Sequence, residues 1–427
     1  MFLRIMCEPS NRLGISITIA ALLIFYILLL KVNEMGLELN IDFPNQDLIP
    51  VEVKSETTES EFWPSLDDGL PLRLMEYIKE HGEKVRKPDM HTEYIVYTCT
   101  EQNERCGGIG DRLRGIVSLF MLSISTNRVL VIDWSYPFAL EETLIPGMVD
   151  WLAPLRTVQL YETANPHKTV SLLSMGEANY TEWTRVSQSD AKIVRITTNN
   201  IRRGLSALSA AKNMISQMDL YRPGQRIPQL LCSWILRSLF VPNPDTIRVA
   251  NEQLALIGID PDRPFVAIHA RFGHTNNDKG ASQFKTDPAR LGLEDIPKIA
   301  RCASKINSQM RFKGIAVQNA TFLAADSNEG KYIFREQLQD VKYFSAHAFH
   351  IDKVRKDRGE YDAAEADMLN QLTWAEFLIL SKSECVVSTR SGFSEWAIAF
   401  SKNPQTGKRC AQAGTECENI NWNKIIG

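Results

Sequence analysis

The chain has 427 residues, 44% of them hydrophobic and 23% charged, which is the composition of a globular protein with room for two domains. Its net charge is −3, from 48 basic and 51 acidic side chains. This near balance excludes the basic surface typical of nucleic-acid-binding proteins, so no nucleic-acid partner is expected.

The first predicted element is a hydrophobic helix at residues 13–30, an uncharged stretch of eighteen residues. As a helix it spans about 27 Å, close to the thickness of a bilayer's hydrocarbon core. Arg4 and Arg12 precede it and Lys31 follows it, and this excess of positive charge places residues 1–12 in the cytoplasm. The alternative is a cleaved signal peptide, which has a shorter apolar stretch and a small-residue cleavage site. We therefore expect an uncleaved type II anchor, with the rest of the chain in the Golgi lumen.

Residues 31–88 show poor periodicity and many acidic side chains, which is typical of a solvated stem with room for one short helix at 70–80. The segment Val241-Pro242-Asn243-Pro244 breaks a strongly helical stretch. We place the boundary between two globular domains there, which gives domains at residues 89–244 and 245–427.

The first domain begins with a strand, a glycine loop, a helix and a second strand. Tyr94–Thr98 is a short apolar run, and apolar residues recur at helical spacing from Leu113 to Ile124. Val129–Asp133 is the second strand. This order is typical of a Rossmann-like unit. Two helices are predicted further along, at Leu205–Met218 and Gln229–Leu239.

The second domain repeats the alternation of strands and helices. Buried strands are predicted at Phe265–Ala270, Thr321–Ala325, Val341–Phe344 and Cys385–Ser388. Helices are predicted at Thr246–Ile257, Lys331–Leu338 and Ala364–Lys382. The predicted fold class is therefore α/β, with two Rossmann-like domains that face a cleft.

Four polar clusters follow predicted strands, at the positions where ligands bind in parallel α/β sheets. They are Gly107–Arg112, His269–Arg271, Asp326–Ser327 and Ser388–Ser394. Alternation along a strand puts His269 and Arg271 on one face, where the arginine guanidinium would bind a diphosphate with two hydrogen bonds. The alternative is a buried arginine paired with the neighbouring histidine.

The other clusters each have a binding interpretation and a structural one. The glycine loop would bring backbone close to an anion at a helix N-terminus, whereas Asp111 there would simply cap the helix. Asp326 would accept hydrogen bonds from a base or ribose, or cap a turn. The turn at Ser391–Ser394 offers hydroxyls and N–H groups to an anion, or ordinary N-capping.

Metal chemistry has little support in the sequence. Asp260-Pro261-Asp262 has the letters of a metal-dependent nucleotide-sugar motif, but it precedes a strand and contains proline, which predicts a turn. His347 and His350 have no third ligand close in sequence. We expect no metal and no other cofactor.

Of the eight cysteines, Cys7 is expected in the cytoplasm and seven in the lumen, where disulfides persist. The spacing favours two local bridges, Cys99–Cys106 and Cys410–Cys417. An odd number leaves at least one thiol unpaired or intermolecular. Three others are predicted to be buried: Cys232, Cys302 and Cys385. Two triplets have the form of N-glycosylation acceptors, at Asn179 and Asn319.

Together, four stretches resemble the superfamily of α1,2-, α1,6- and protein O-fucosyltransferases, and they occur in its order. They are GGIGDRLRGIVSLFMLSISTNRVLVIDW (107–134), FVAIHARFG (265–273), FLAADS (322–327) and VVSTRSGFSEWAIAF (386–400). The resemblance implies a GT-B fold, GDP-fucose as donor and inversion at the sugar carbon without a metal. It also implies the acceptor, a glycan or glycoprotein.

The resemblance implies a role for each cluster. Arg271 would grip the donor phosphates and assist the departure of GDP. The residues expected around the nucleotide are His269, Asp326, Ser327, Ser391, Gly392, Phe393 and Ser394. The residues expected to approach the fucose or the acceptor are Gly108, Gly110, Asp111 and Arg112.

The chain departs from the superfamily at one motif. Where the superfamily often has His-x-Arg-Arg-x-Asp, this chain has His269-Ala270-Arg271-Phe272-Gly273-His274, so the second arginine and the acid are missing. This form is closer to the branch that adds α1,6-fucose to chitin-like oligosaccharides. The base that takes the acceptor proton is left open among Asp111, Asp278 and Glu395. Two alternatives also stay open: a different nucleotide sugar, and a membrane-anchored binding protein without activity.

Overall fold

The computed structural model describes residues 70–101, 106–174, 189–199, 229–272, 292–346, 349, 351, 362–401 and 409–412. The predicted anchor at 13–30, the tail before it, most of the predicted stem and the predicted helix Leu205–Met218 lie outside these residues. None of the helices in the described part has both the length and the apolar character needed to span a bilayer. All the described residues belong to one compact unit, Glu59–Gly427.

In chain order the first half consists of α1 (Leu72–Arg86), β1 (Tyr94–Cys99), α2 (Ile109–Thr126), β2 (Val129–Trp134), β3 (Leu144–Pro146), α3 (Ala153–Ala164), β4 (Thr169–Ser174), β5 (Ile193–Thr198), α4 (Gln229–Leu239) and β6 (Phe240–Pro242). The second half consists of α5 (Pro244–Leu256), β7 (Val266–Ala270), α6 (Ile296–Phe312), β8 (Thr321–Ala325), α7 (Asn328–Gln337), β9 (Val341–Lys342), α8 (Ala363–Lys382), β10 (Cys385–Ser388), α9 (Gly392–Ala399) and β11 (Arg409–Gln412). Short 3₁₀ turns lie at Leu140–Glu142, Pro166–Lys168 and Leu293–Asp295.

Two parallel sheets form the framework. The first sheet has the order β2-β1-β5-β4, and the second has the order β11-β10-β7-β8-β9. Every residue of β1, β2, β7, β8 and β10 is buried, as expected for parallel strands covered on both faces. The short strands β3 and β6 pair antiparallel beside them. The predicted α/β class and the strands predicted from the sequence are confirmed, although β9 is two residues shorter than predicted.

Helices from the two halves pack on each other. Helix α9 of the second half packs against α2 and α4 of the first half. Aromatic side chains fill this contact, with Trp134 lying 6.1 Å from Trp374 between ring centroids and Phe377 lying 5.5 Å from Phe393. One hydrophobic core therefore extends through both halves and fixes the ends of α2 and α9 beside each other.

The short helix expected at 70–80 within the predicted stem is present as α1, Leu72–Arg86, but it is packed on the domain and not solvated. Helix α1 packs on the first half through three buried side chains, Leu74, Tyr77 and His81. The Tyr77 hydroxyl donates to the Arg128 carbonyl at 3.0 Å, and His81 Nε2 lies 3.1 Å from the Leu130 carbonyl oxygen. The many charged residues of this segment lie on the outer face of the helix. They made the helical spacing of its buried residues hard to recognise in the sequence.

The disulfide between Cys99 and Cys106 is confirmed. The predicted partner of Cys410 is wrong, because Cys410 is bonded to Cys385. Strands β10 and β11 are parallel neighbours with Val386 opposite Arg409, so the two Cα atoms are 5.6 Å apart. Cys417 lies outside the described residues. Cys302 is also disulfide-bonded, and Cys232 is a buried free thiol.

Candidate functional site

A cleft of about 290 Å³ opens between the two sheets. Its floor is formed by the carboxyl ends of β7 and β8, and the N-termini of α2 and α9 close one end. The segment after β9 and one face of α8 form an apolar wall, with Phe344, Phe349, Ile351, Leu369 and Leu372. The predicted clusters after these strands therefore do meet at one place.

The N-termini of α2 and α9 touch through two glycines. A Cβ atom on Gly110 would lie 2.5 Å from the Gly392 carbonyl carbon and 2.7 Å from the Phe393 nitrogen, so a larger residue does not fit. Ser391 caps α9, with its Oγ accepting from the Phe393 N–H at 3.3 Å. Because each helix N-terminus carries partial positive charge, their convergence favours an anion in the cleft.

Arg271 lies directly after β7 and is oriented by Asp326, which follows β8. Its Nη1 is 3.0 Å from Asp326 Oδ2, and the other carboxylate oxygen accepts from the Phe272 N–H at 2.7 Å. Thr389 Oγ1 accepts from the Arg271 backbone N–H at 3.1 Å. The Arg271 side chain keeps 23% of its surface exposed, whereas Asp326 keeps 7%. The guanidinium is thus aimed by Asp326, and not by the neighbouring histidine as the structural alternative had it.

His269 lines the same floor and is 6% exposed. Its ring lies 5.5 Å from the ring of Phe393. Burial lowers the pKa of His269 to about 3, and the positive charge of Arg271 acts in the same direction. The imidazole is therefore neutral at physiological pH. Within the described residues its Nδ1 is buried and has no hydrogen-bond partner.

Three predicted contact residues do not line the cleft. Arg112 is buried and donates to the carbonyls of Gly107 at 2.8 Å and Tyr136 at 2.6 Å, which holds the glycine loop in place. Ser327 Oγ accepts from the Gly330 N–H at 3.0 Å, and so caps α7. Ser394 is buried and donates to the Ser391 carbonyl at 3.3 Å. Local capping and loop anchoring use these polar groups, so their predicted ligand contacts are corrected.

The other predicted contact residues do line the cleft: Gly108, Gly110, Asp111, His269, Arg271, Asp326, Ser391, Gly392 and Phe393. Asp111 Oδ1 is 3.2 Å from Arg114 Nη1. Glu395, another candidate base, is not part of the lining, and Asp278 lies outside the described residues.

The sequence interpretation missed two charged residues of the cleft, Glu376 and Arg390. Desolvation raises the pKa of the Glu376 carboxyl to about 7; Lys331 opposes this and Asp326 adds to it. The sequence did contain a signal for Glu376: it is the one acid in the run Trp374–Leu380, which is otherwise apolar and buried on helix α8. Arg390 is exposed and stands just before the Ser391 cap.

No group of three or more potential metal ligands occurs among the described residues. The turn prediction for Asp260–Asp262 is confirmed, since the Asp262 N–H donates to Asp260 Oδ1 at 3.0 Å. His347 and His350 lie outside the described residues. Asn319 is exposed, as a glycan acceptor needs to be, while Asn179 lies outside.

The fold and the site define an α/β protein with two parallel sheets and a cleft lined by residues of both halves. Its sequence matches no protein-family model and no curated protein. It is similar to a mutant of Arabidopsis thaliana FUT1 in complex with GDP, with 14% identity, a TM-score of 0.48, and coverage of 77% of this chain and 76% of that one.

Two further solved structures are similar. One is the α1,6-fucosyltransferase NodZ soaked with GDP-fucose, with 12% identity, a TM-score of 0.42 and coverage of 73% of this chain and 93% of that one; NodZ comes from Bradyrhizobium. The other is POFUT1 in complex with GDP-fucose, with 12% identity, a TM-score of 0.39 and coverage of 77% and 99%.

Proposed function

We propose that the protein is a fucosyltransferase of the GT-B type, which moves fucose from GDP-fucose to a hydroxyl group of a glycan. The observation that carries the proposal is the position of Arg271, held by Asp326 in a cleft where two helix N-termini converge. A diphosphate is the part of a sugar nucleotide that needs this concentration of positive charge.

At the phosphate end, the Arg271 side chain lines the cleft and keeps 23% of its surface exposed. Arg390 adds a second cation at the same end, next to the N-terminus of α9. When the bond from the sugar carbon to the diphosphate breaks, negative charge grows on the departing oxygen. Donors already fixed in place stabilise that charge without reorganising, and this is commonly the largest contribution to such a reaction.

At the other end of the cleft, the apolar wall suits a nucleobase. Glu376 lies on this wall and is the carboxylate best placed to meet the base edge. Guanine presents two adjacent N–H donors, at N1 and N2, which match the two oxygens of a carboxylate. The combination of an apolar wall with one acid therefore favours GDP over nucleotides whose bases lack that pair of donors.

The transfer is then a direct displacement with inversion and without a metal. The acceptor oxygen bonds to the sugar carbon as the bond to GDP breaks, and the acceptor proton passes to a base. Asp111 lines the cleft from α2, opposite the strand ends that carry Arg271 and Asp326. Asp111 keeps 43% of its side chain exposed, whereas Asp326 keeps 7% and Glu376 lies at the base end, so Asp111 is the described carboxylate that we assign to this proton.

The cellular setting is part of the same proposal. Residues 13–30 would anchor the chain in the Golgi membrane as a single-pass type II protein, with the cleft in the lumen, where GDP-fucose and glycans meet. The two disulfides of the described region support an oxidising compartment.

The test is release of GDP from GDP-fucose by the full-length protein, with a panel of glycans that includes β-linked N-acetylglucosamine oligosaccharides. Arg271→Ala should lower kcat/KM by about 10²-fold or more, the scale for losing one electrostatic stabiliser. Asp326→Asn should lower it less, because it loosens the guanidinium without removing it. Arg248→Ala is the matched control, since that arginine is 57% exposed on α5 and pairs with Glu252.

Equal turnover by wild type and Arg271→Ala would end the proposed mechanism. Turnover of a different nucleotide sugar, but not of GDP-fucose, would keep the fold and replace the donor. Thermal stabilisation by GDP without turnover of any donor would indicate the membrane-anchored binding protein instead.

A further inference from the structure

Lys331 is a buried cation that the proposed reaction does not use. It lies on α7 and keeps 3% of its surface exposed. A buried ammonium is costly unless its N–H groups find acceptors. Lys331 Nζ donates to the Phe344 carbonyl at 3.1 Å and to the Ala346 carbonyl at 3.0 Å. Both carbonyls belong to residues that line the cleft.

The segment that Lys331 holds has little other regular support. Strand β9 has only two residues, so the chain leaves the sheet before Phe344. The Phe344 ring packs on Phe322 of β8, with ring centroids 5.4 Å apart. The Lys331 ammonium donates hydrogen bonds to the backbone carbonyls of Phe344 and Ala346. Lys331 therefore fixes the position of the apolar wall at the nucleobase end of the cleft.

The same side chain lies within electrostatic range of the two acids of the cleft floor and wall. Helix α7 starts at the Ser327 cap, immediately after Asp326, and the Lys331 N–H donates to the Ser327 carbonyl at 2.9 Å. Burial lowers the pKa of the Lys331 ammonium, while the negative charges of Glu376 and Asp326 raise it. A cation that interacts with both the Asp326 and the Glu376 carboxylates offsets the repulsion between them.

We propose that Lys331 is a positioning residue for the donor nucleotide, which holds the wall at Phe344–Ala346 and balances the charges of Asp326 and Glu376. It sets the affinity for the nucleoside part without touching the phosphates. This inference rests on the proposed nucleotide-sugar function.

The experiment compares GDP with inorganic pyrophosphate, which lacks the nucleoside. Lys331→Met keeps the length and apolar bulk of the side chain and removes the ammonium. We expect its Kd for GDP to rise at least about tenfold, while its Kd for pyrophosphate changes less than about threefold. In turnover, KM for GDP-fucose should rise and kcat should change little. Lys298→Met on α6 is the matched control, because Lys298 is 65% exposed and is not part of the lining.

Equal losses of GDP and pyrophosphate binding in Lys331→Met, or no loss of either, would overturn the inference. Wild-type protein that binds no guanine nucleotide at all would instead refute the proposed function, so the two failures are distinguishable.

If Lys331→Met does not fold, amine acetylation of the wild type, followed by mass spectrometry, decides the question. GDP should slow the acetylation of Lys331 at least about threefold more than pyrophosphate does, with Lys298 as the internal reference, because occupation of the wall suppresses local opening. Equal rates with the two ligands would overturn the inference.

Discussion

Gly110→Ala is predicted to separate the two helix N-termini that close the cleft. The added Cβ would lie 2.5 Å from the Gly392 carbonyl carbon and 2.9 Å from its Cα. These neighbours are backbone atoms, so no side-chain rotation relieves the contact. An ordinary contact needs about 3.5–4.0 Å, so α2 and α9 must move apart by about 1 Å.

That displacement has two measurable costs. Overpacking of this kind lowers the free energy of unfolding by about 1–3 kcal/mol. A misplacement of about 1 Å at a reacting centre also costs about 10²-fold in rate. Both effects should appear together, because the same contact joins the two halves of the core and shapes the anion site.

The control lies two residues earlier, at Gly108, the N-cap position of α2. A Cβ on Gly108 would meet no atom within 4 Å, and its φ of −73° suits any residue. Gly108→Ala should therefore change the free energy of unfolding by less than about 0.5 kcal/mol. Urea unfolding and kcat/KM for GDP-fucose are measured for both variants. If Gly110→Ala matches Gly108→Ala in both, the packing argument is refuted.

Two further predictions concern Glu376 and the second disulfide. Because the pKa of Glu376 is raised from 4.5 to about 7, the folded protein binds a proton that the unfolded chain has released, and stability falls as pH rises through this window. Glu376→Gln should lack this fall. In urea unfolding, its free energy of unfolding relative to wild type should therefore rise by about 1–3 kcal/mol between pH 4.5 and pH 8. An identical pH profile for the two proteins would refute the assignment. Mass spectrometry of the non-reduced protein, cleaved after Glu416 to separate Cys410 from Cys417, should find Cys385 linked to Cys410; a link to Cys417 would contradict the parallel register of β10 and β11.

The strand ends of the second sheet were the most predictable part of the site. Arg271 and Asp326 each follow a short apolar run, and parallel strands place such positions at one edge. Their ion pair was not predictable, because it depends on β7 and β8 being neighbours in the sheet. Sequence order does not specify that pairing of strands. Because the ion pair with Arg271 was not foreseen, Asp326 was interpreted as a ligand for a base or ribose.

Glu376, Lys331 and the Cys385–Cys410 bond share a different reason for being missed. Each depends on elements distant in sequence: α8 turns Glu376 toward the cleft, and Lys331 reaches carbonyls beyond β9. Serines were misassigned for the opposite reason. Ser327 and Ser394 satisfy local backbone groups, which a serine at a helix start does as readily as it binds a ligand.

Calorimetric titration of the full-length protein with guanosine, GMP and GDP tests most directly whether Arg271 and the two helix N-termini hold a diphosphate. We predict that GDP binds at least about tenfold more tightly than GMP, and that Arg271→Ala abolishes most of this difference while guanosine binding is unchanged. Equal affinities for GDP and GMP in the wild type, or the same preference for GDP after Arg271→Ala, would contradict the diphosphate site.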